Sequence, residues 1–268
     1  MINLVLKMKK KKIENLSITI PMEIEKYIVG AKLYDTSCHS GAQVLFIDKD
    51  EGYYLKIGEK GTLEREKVMT EYFCSKGIGA KVLYYGSEEK DYLLTSAVRG
   101  DDCTTDIYTQ EPLKLCDTLA KELRKLHELD FRDCPVKDKM QEYFSLVEKN
   151  YSLDNYDKSH FPENWGYSSG EEAYKAYKEG KVCLTDNVLL HGDYCLPNVI
   201  LKDWKLSGFI DIGGGGVGDR HLDLFWALWS LEFNLQSNKY RERFLDVYGR
   251  DKVNEEKLKI IGAIEVFV

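Results

Sequence analysis

The sequence predicts a two-lobed α+β chain: an N-terminal antiparallel sheet with one helix, then a mostly helical C-terminal lobe built around a hairpin. Three observations lead there. The first hundred residues read mainly as short β-rich runs separated by Gly, Ser and Asp. The composition changes at Arg99-Gly100-Asp101-Asp102, a candidate hinge. Beyond it apolar residues recur at helical spacing, interrupted by the β-like stretch NVLLHGDYCLPNVILKDWKLSGFIDIG. This is not the βαβ alternation of a parallel sheet. A chain of 268 residues is long enough for one large domain or two lobes. The expected divisions are a disordered basic leader at 1–12, an N-terminal lobe at 13–98 and a C-terminal lobe at 99–268.

Each element has its own signal. The start, MINLVLKMKKKK, has no small-residue cleavage site after its apolar piece, so it reads as a leader, with Met8 an alternative start. YIVGAKLYD, AQVLFIDKD and EGYYLKIG are strand-like, and the turn Asp50-Glu51-Gly52 joins the last two into a hairpin. TLEREKVMTEYFCSKG is a helix that Thr62 can cap and Gly77 can end, with Glu64 and Glu66 in its first turns. KVLYYGSEEKDYLLTSAV reads as two strands around a charged turn. Pro112 suits the first position of a helix whose apolar face is Leu113, Cys116, Leu119, Ala120, Leu123 and Leu126. Further helical runs fall near 137–149, 170–179, 221–235 and 254–264.

Composition narrows the function classes. A net charge of −7 argues against nucleic acid as a partner. No apolar run approaches the ~20 residues that span a bilayer. Seven cysteines, at 38, 74, 103, 116, 134, 183 and 195, are an odd number with no C-x-x-C pair. Such usage fits a reducing, cytoplasmic compartment, with no disulfide framework and no zinc site.

GFIDIGGGGVGDRHLDLF contains Gly213-x-Gly215-x-x-Gly218, nominally a dinucleotide-binding fingerprint. A dinucleotide fold needs a further strand with an acidic residue about 20 positions on, and the segment that follows is helical. The residue that matters is Asp211, two positions before the first of these glycines. His191-Gly192-Asp193 precedes Asn198, and Asp211 follows Asn198 by thirteen positions, at the end of the next apolar run. A hairpin of this length can bring Asn198 and Asp211 together as two oxygen ligands for a divalent cation. Magnesium suits so small a set when phosphates fill the other positions. Asp193 is then placed to accept or orient the proton of a hydroxyl. In the N-terminal part, Lys56 lies inside the strand YYLKIG, ten residues before Glu66. It either snorkels from an edge strand or meets a buried partner.

His-x-Asp-x-x-x-x-Asn followed by Asp-x-Gly is similar to the catalytic and metal-binding segments of the protein-kinase-like fold. HGDYCLPN with GFIDIG resembles the aminoglycoside phosphotransferases, closest to the 3′-phosphotransferase branch, over about residue 20 to the C-terminus. The resemblance implies a small-molecule kinase that moves the γ-phosphoryl of ATP or GTP to a hydroxyl of a cationic acceptor, with Mg²⁺. It implies that residues 13–98 bind the nucleotide and that 99–268 carry catalysis and the acceptor. Asp193 is the implied catalytic residue, and Asn198 and Asp211 the metal ligands. Lys56 holds the α- and β-phosphates and Glu66, the second acid of EREK, orients it. Glu64 lies on another helix face. Ser40 in TSCHSGAQV reaches a phosphate, Tyr54 stacks on the adenine or packs in the core, and the backbone at Ser96 and Val98 reads the purine edge.

The acceptor's ammonium groups fall, on the same resemblance, to the acidic–aromatic terminus AIEVFV, through Glu265 and the terminal carboxylate of Val268. Asp154, Asp157, Glu163, Glu171 and Glu172 either line an acidic acceptor cleft or form a solvated face. Ile264 stands where relatives commonly carry a second acid, and Gly214 where many carry arginine, which bears on drug range. Only seven residues separate Asp211 from Asp219, leaving no room for a protein-kinase activation segment. Metabolic kinases acting on choline, homoserine or methylthioribose, and a catalytically weak nucleotide-binding protein, remain as alternatives.

Overall fold

The computed structural model describes residues 11–14, 19–37, 41–156 and 166–268. Its chain divides into two units, Met1–Gln110 with Pro197–Gly214, and Glu111–Leu196 with Gly215–Val268.

In the first unit, strands Lys11–Ile13 (β1), Lys32–Asp35 (β2), Gln43–Asp48 (β3), Tyr53–Glu59 (β4), Val82–Ser87 (β5) and Lys90–Ser96 (β6) form one sheet. Their order is β1-β2-β3-β4-β6-β5, with every pairing antiparallel. Alternation along β4 decides its faces: Leu55 and Ile57 are buried with Leu45, Ile47 and Leu94, so Lys56 points the other way. Helix Met22–Ile28 (α1) covers the apolar face through Ile24, Tyr27 and Ile28. Helix Glu64–Ser75 (α2) follows β4 and carries Glu66.

Three local expectations give way. Lys11 and Lys12, assigned by sequence to the leader, pair with Asp35 and Tyr34. Within YIVGAKLYD, Tyr27 and Ile28 close α1 and only Lys32 onward is strand; the helical spacing of Ile24, Tyr27 and Ile28 outweighs their β propensity. Thr62 does not cap α2, because its hydroxyl donates to the Glu59 carbonyl at 2.7 Å. Asp91 of β6 holds the helix start instead, accepting from the backbone N–H of Gly61 at 2.9 Å and of Leu63 at 2.8 Å.

The sequence hinge contains a short strand, Asp101–Asp102 (β7), followed by helix Asp106–Thr109 (α3). β7 pairs with Val199–Lys202 (β9), which pairs with Lys205–Phe209 (β10). Asp203 and Trp204, both at positive φ, make the two-residue turn of this hairpin. Tyr108 donates its hydroxyl to the Leu201 carbonyl at 2.8 Å, and the Phe209 N–H donates to the Ile78 carbonyl at 2.8 Å. These bonds place the hairpin in the first unit, where the sequence division at 98/99 puts it with the second.

The second unit holds helices Pro112–His127 (α4), Lys139–Ser152 (α5), Gly170–Gly180 (α6), His221–Leu235 (α7), Arg241–Tyr248 (α8) and Glu255–Glu265 (α9). Pro112 opens α4 as expected. Strands Val188–Leu190 (β8) and Gly216–Gly218 (β11) form an antiparallel pair among them. Their core draws Met140 and Val147 from α5, Tyr177 from α6, Leu190 from β8, Leu222 from α7 and Ile261 from α9. The patterned glycines are thus a 3₁₀ turn, Ile212–Gly214, followed by β11, and not the start of a nucleotide-binding helix. No helix among the described residues is long and apolar enough to cross a membrane.

Candidate active site

The first unit gathers one cation between two carboxylates. Lys56 Nζ donates to Glu66 Oε1 at 2.6 Å and to Asp211 Oδ1 at 2.8 Å. Lys56 and Glu66 are largely buried, with side chains 19% and 13% exposed, whereas Asp211 is 48% exposed. Burial alone lowers a lysine's pKa, but here the charges of Asp211 and Glu66 win and raise it. Lys56 therefore keeps its charge. Glu64 has no such part: two residues earlier on α2, it lies on another face of the helix.

Hairpin register explains how residues far apart in sequence meet. Val199 pairs with Phe209, and the next N–H, that of Ile210, donates to the Asn198 carbonyl at 3.1 Å. Asn198 and Asp211 thereby flank one end of the hairpin. Asp211 adopts φ +57°, a left-handed conformation that Asp tolerates better than most residues. Gly213 lies against α2, and a Cβ on it would come within 3.3 Å of the Glu66 Cβ. A larger residue at 213 would disturb Glu66 directly.

Asn198 and Asp211 supply an amide and a carboxylate oxygen, a hard donor set suited to a divalent cation. Among the described residues no group of three or more His, Cys, Asp or Glu side chains could hold a metal. The donor set fits a magnesium ion, which Asn198 and Asp211 would hold and whose remaining positions would fall to phosphate oxygens and water.

The second unit fixes Asp193. Buried Asp223 of α7 accepts from the backbone N–H of His191 and of Gly192, each at 2.8 Å. His127 Nε2 lies 3.1 Å from Asp223, and the Tyr248 hydroxyl 2.8 Å from His127 Nδ1. This chain assigns a neutral His127 with its proton on Nε2, in keeping with the downward push of burial on its pKa. Gly192 takes φ +86°, and the Leu196 N–H donates to Ser230 Oγ at 2.9 Å. Asp193 is half-buried between fully buried neighbours, on a loop whose backbone is bonded on both sides. Sequence reasoning missed Asp223 and His127; a carboxylate and an imidazole inside otherwise apolar helix faces were the available signal.

Glu265, at the end of α9, is 7% exposed and accepts from Trp226 Nε1 at 3.2 Å. Burial pushes its pKa up to about 8; the Trp226 bond lowers it, Asp193 raises it and Lys139 lowers it. Burial thus disfavours the charged form of this carboxyl in the folded chain. Val268 is 48% exposed, while Ile264 is fully buried in the core, not turned to an acceptor.

Of the other sequence candidates, Tyr54 packs its ring 5.1 Å from that of Phe46. The Ser96 N–H is already engaged, donating to the Lys81 carbonyl at 2.9 Å, and Val98 lies against Gly208. Glu172 closes the start of α6, accepting from the Ser168 N–H at 2.9 Å. Ser40, Asp157 and Glu163 lie outside the described residues.

Comparison with known proteins finds relatives along most of the chain. A profile described as "Phosphotransferase enzyme family" matches residues 37–260. The chain is 47% identical to a probable aminoglycoside 3′-phosphotransferase of Lactococcus lactis, over 92% of this chain and 94% of that one. It is 32% identical to an aminoglycoside 3′-phosphotransferase of Niallia circulans, over 85% and 89%. The crystal structure of an aminoglycoside-3′-phosphotransferase of type VIII matches with a TM-score of 0.73 at 24% identity, covering 92% of this chain and all of that one. That last likeness speaks to the fold.

Proposed function

The chain belongs to the phosphotransferase enzyme family, and from that premise we propose that it transfers the γ-phosphoryl of ATP or GTP to the 3′-hydroxyl of an aminoglycoside, conferring resistance. The observation that carries the chemistry is the Lys56 ammonium held between Glu66 and Asp211, on the hairpin that also carries Asn198.

In this reading Lys56 binds the α- and β-phosphates, with Glu66 keeping its ammonium aimed. Asn198 and Asp211 hold Mg²⁺, which when bound neutralises charge on the phosphates. Asp193 orients the acceptor hydroxyl and takes its proton late, because phosphoryl transfer is largely dissociative. Its backbone is fixed through Asp223, so alignment costs little at the moment of reaction. Glu265 receives an acceptor ammonium.

The test is a coupled turnover assay with Mg²⁺ and either ATP or GTP. Its acceptors are kanamycin, neomycin and lividomycin beside choline, homoserine and methylthioribose. Turnover of kanamycin but not of lividomycin, which lacks the 3′-hydroxyl, supports 3′-transfer; silence on every aminoglycoside overturns the acceptor. Asp193→Ala is expected to lower kcat by about 10²-fold or more with nucleotide affinity nearly unchanged. Asp211→Ala should abolish Mg²⁺-dependent nucleotide binding and turnover together, and intact Mg-nucleotide affinity would remove it from the metal site.

A further inference from the structure

The helix that carries Glu66 has no cap of its own. Leu63 stands at the capping position of α2 with an apolar side chain, and the Thr62 hydroxyl is engaged by the Glu59 carbonyl. The N–H groups of Gly61 and Leu63 turn instead to Asp91 of β6, donating to Oδ1 at 2.9 Å and to Oδ2 at 2.8 Å. The Tyr85 hydroxyl adds a bond to Oδ2 at 3.2 Å. Asp91 is fully buried. Burial raises its pKa, but hydrogen bonds from Ser87, Gly61, Leu63 and Tyr85 together outweigh it and bring it below the ordinary value. A charged carboxylate is thus kept out of water at the start of a helix, where negative charge is favourable. A cap from residue 63 itself would satisfy the same kind of N–H group without fixing the helix to the sheet. A cap from β6 does both.

Sheet register ties this anchor to Lys56. Gly58 of β4 lies directly opposite Asp91, and Lys56 opposite Leu93. Paired residues share a face of the sheet, as do residues two apart on one strand, so Asp91 and Lys56 project from the same side. α2 meets both. Its start is held by Asp91, and Glu66, three residues after Leu63, reaches Lys56 Nζ at 2.6 Å. Gly58 leaves room for this arrangement: a Cβ there would lie 2.7 Å from Thr62 Oγ1 and 3.2 Å from Leu63 Cγ. Any larger residue at 58 lifts the turn away from β4.

We propose that Asp91 is a positioning residue for nucleotide binding, holding α2 where Glu66 meets Lys56. The inference rests on the nucleotide role given to Lys56 and deepens it. Asp91 acts through the turn before α2 and through Glu66, not on the phosphates. Without it α2 is free to pivot, and the Lys56 ammonium loses the partner that keeps it aimed. A charge-assisted hydrogen bond lost in this way is worth about tenfold in nucleotide affinity.

The experiment is a calorimetric titration of the full chain with Mg-ATP and with Mg-GTP in the absence of any acceptor, so that it does not depend on which acceptor is used. Two variants disturb the same turn by separate routes: Asp91→Asn removes the carboxylate, and Gly58→Ala presses on Thr62 and Leu63 without touching Asp91. Each is made in the wild-type chain and in Glu66→Gln. In the wild-type chain each should raise nucleotide Kd about tenfold, and in Glu66→Gln by less than about twofold, because the pair through which Asp91 acts is already broken. A role in stability alone would leave the Kd of the folded protein unchanged. Wild-type affinity in either variant, within about twofold, overturns the inference, and so does an equal loss in the Glu66→Gln background. If Asp91→Asn does not fold, the two Gly58→Ala proteins decide the matter by the same criteria. A wild type that binds neither nucleotide overturns instead the phosphotransferase reading beneath it, and this inference with it.

Discussion

Replacing Glu265 with glutamine should make the protein more stable at high pH than the wild type, with a slope set by a single proton. The carboxyl is 7% exposed and its pKa rises from an ordinary 4.5 to about 8, chiefly through burial. Below 4.5 it is protonated in both folded and unfolded chains and contributes no pH dependence. Between the two values the unfolded chain releases the proton while the folded chain keeps it, so stability falls as pH rises. Each pH unit is worth about 1.4 kcal/mol, or about 5 kcal/mol over the whole window. That is a sizeable part of the ~5–15 kcal/mol by which domains are stable. The glutamine side chain carries no titrating proton, and its amide oxygen can still accept from Trp226. Urea unfolding of both proteins, followed by tryptophan fluorescence at steps from about pH 5 to 8, isolates the effect, since the remaining groups cancel in the difference. The wild type should lose about 1.4 kcal/mol per pH unit relative to Glu265→Gln, levelling off above about pH 8. Parallel stabilities across that range would mean that Glu265 is ionised in the folded chain, and the argument from its burial would fail.

The same carboxyl predicts that kanamycin binding at pH 7 releases a proton, seen as a dependence of calorimetric binding enthalpy on the ionisation enthalpy of the buffer; no dependence would show that the acceptor ammonium does not meet Glu265. On the nucleotide side, Glu66→Gln should raise nucleotide KM about tenfold and lower kcat, because Lys56 is left to Asp211 alone. Gly213→Val should reproduce that kinetic pattern by pressing on Glu66, with an unchanged far-ultraviolet circular dichroism spectrum; wild-type kinetics in Gly213→Val would refute the coupling.

The legible part of this chain was local. Period-two alternation in YYLKIG sets Lys56 opposite Leu55 and Ile57, and the strand–turn–strand spacing sets Asn198 beside the end of β10. Pro112 opens a helix because its missing N–H is not needed there. Where local signals competed, the reading slipped. Tyr27 and Ile28 have strand propensity but close a helix, since Ile24 needs their company over the sheet. Thr62 looks like a cap, yet a carboxylate from β6 reaches the helix start first.

The sequence by itself determined which candidate groups exist and in what order they are strung: a lysine in a strand, an acid in the next helix, and the run from His191 through Asp193 and Asn198 to Asp211. Tertiary structure decided what those groups are worth. Asp223 and His127 hold the backbone at His191 and Gly192 from helices distant in the chain. Burial raises the pKa of Glu265, and Trp226 of α7 donates to its carboxyl. These properties come from loss of water and from charges brought near by folding, neither of which a neighbouring residue in the sequence encodes.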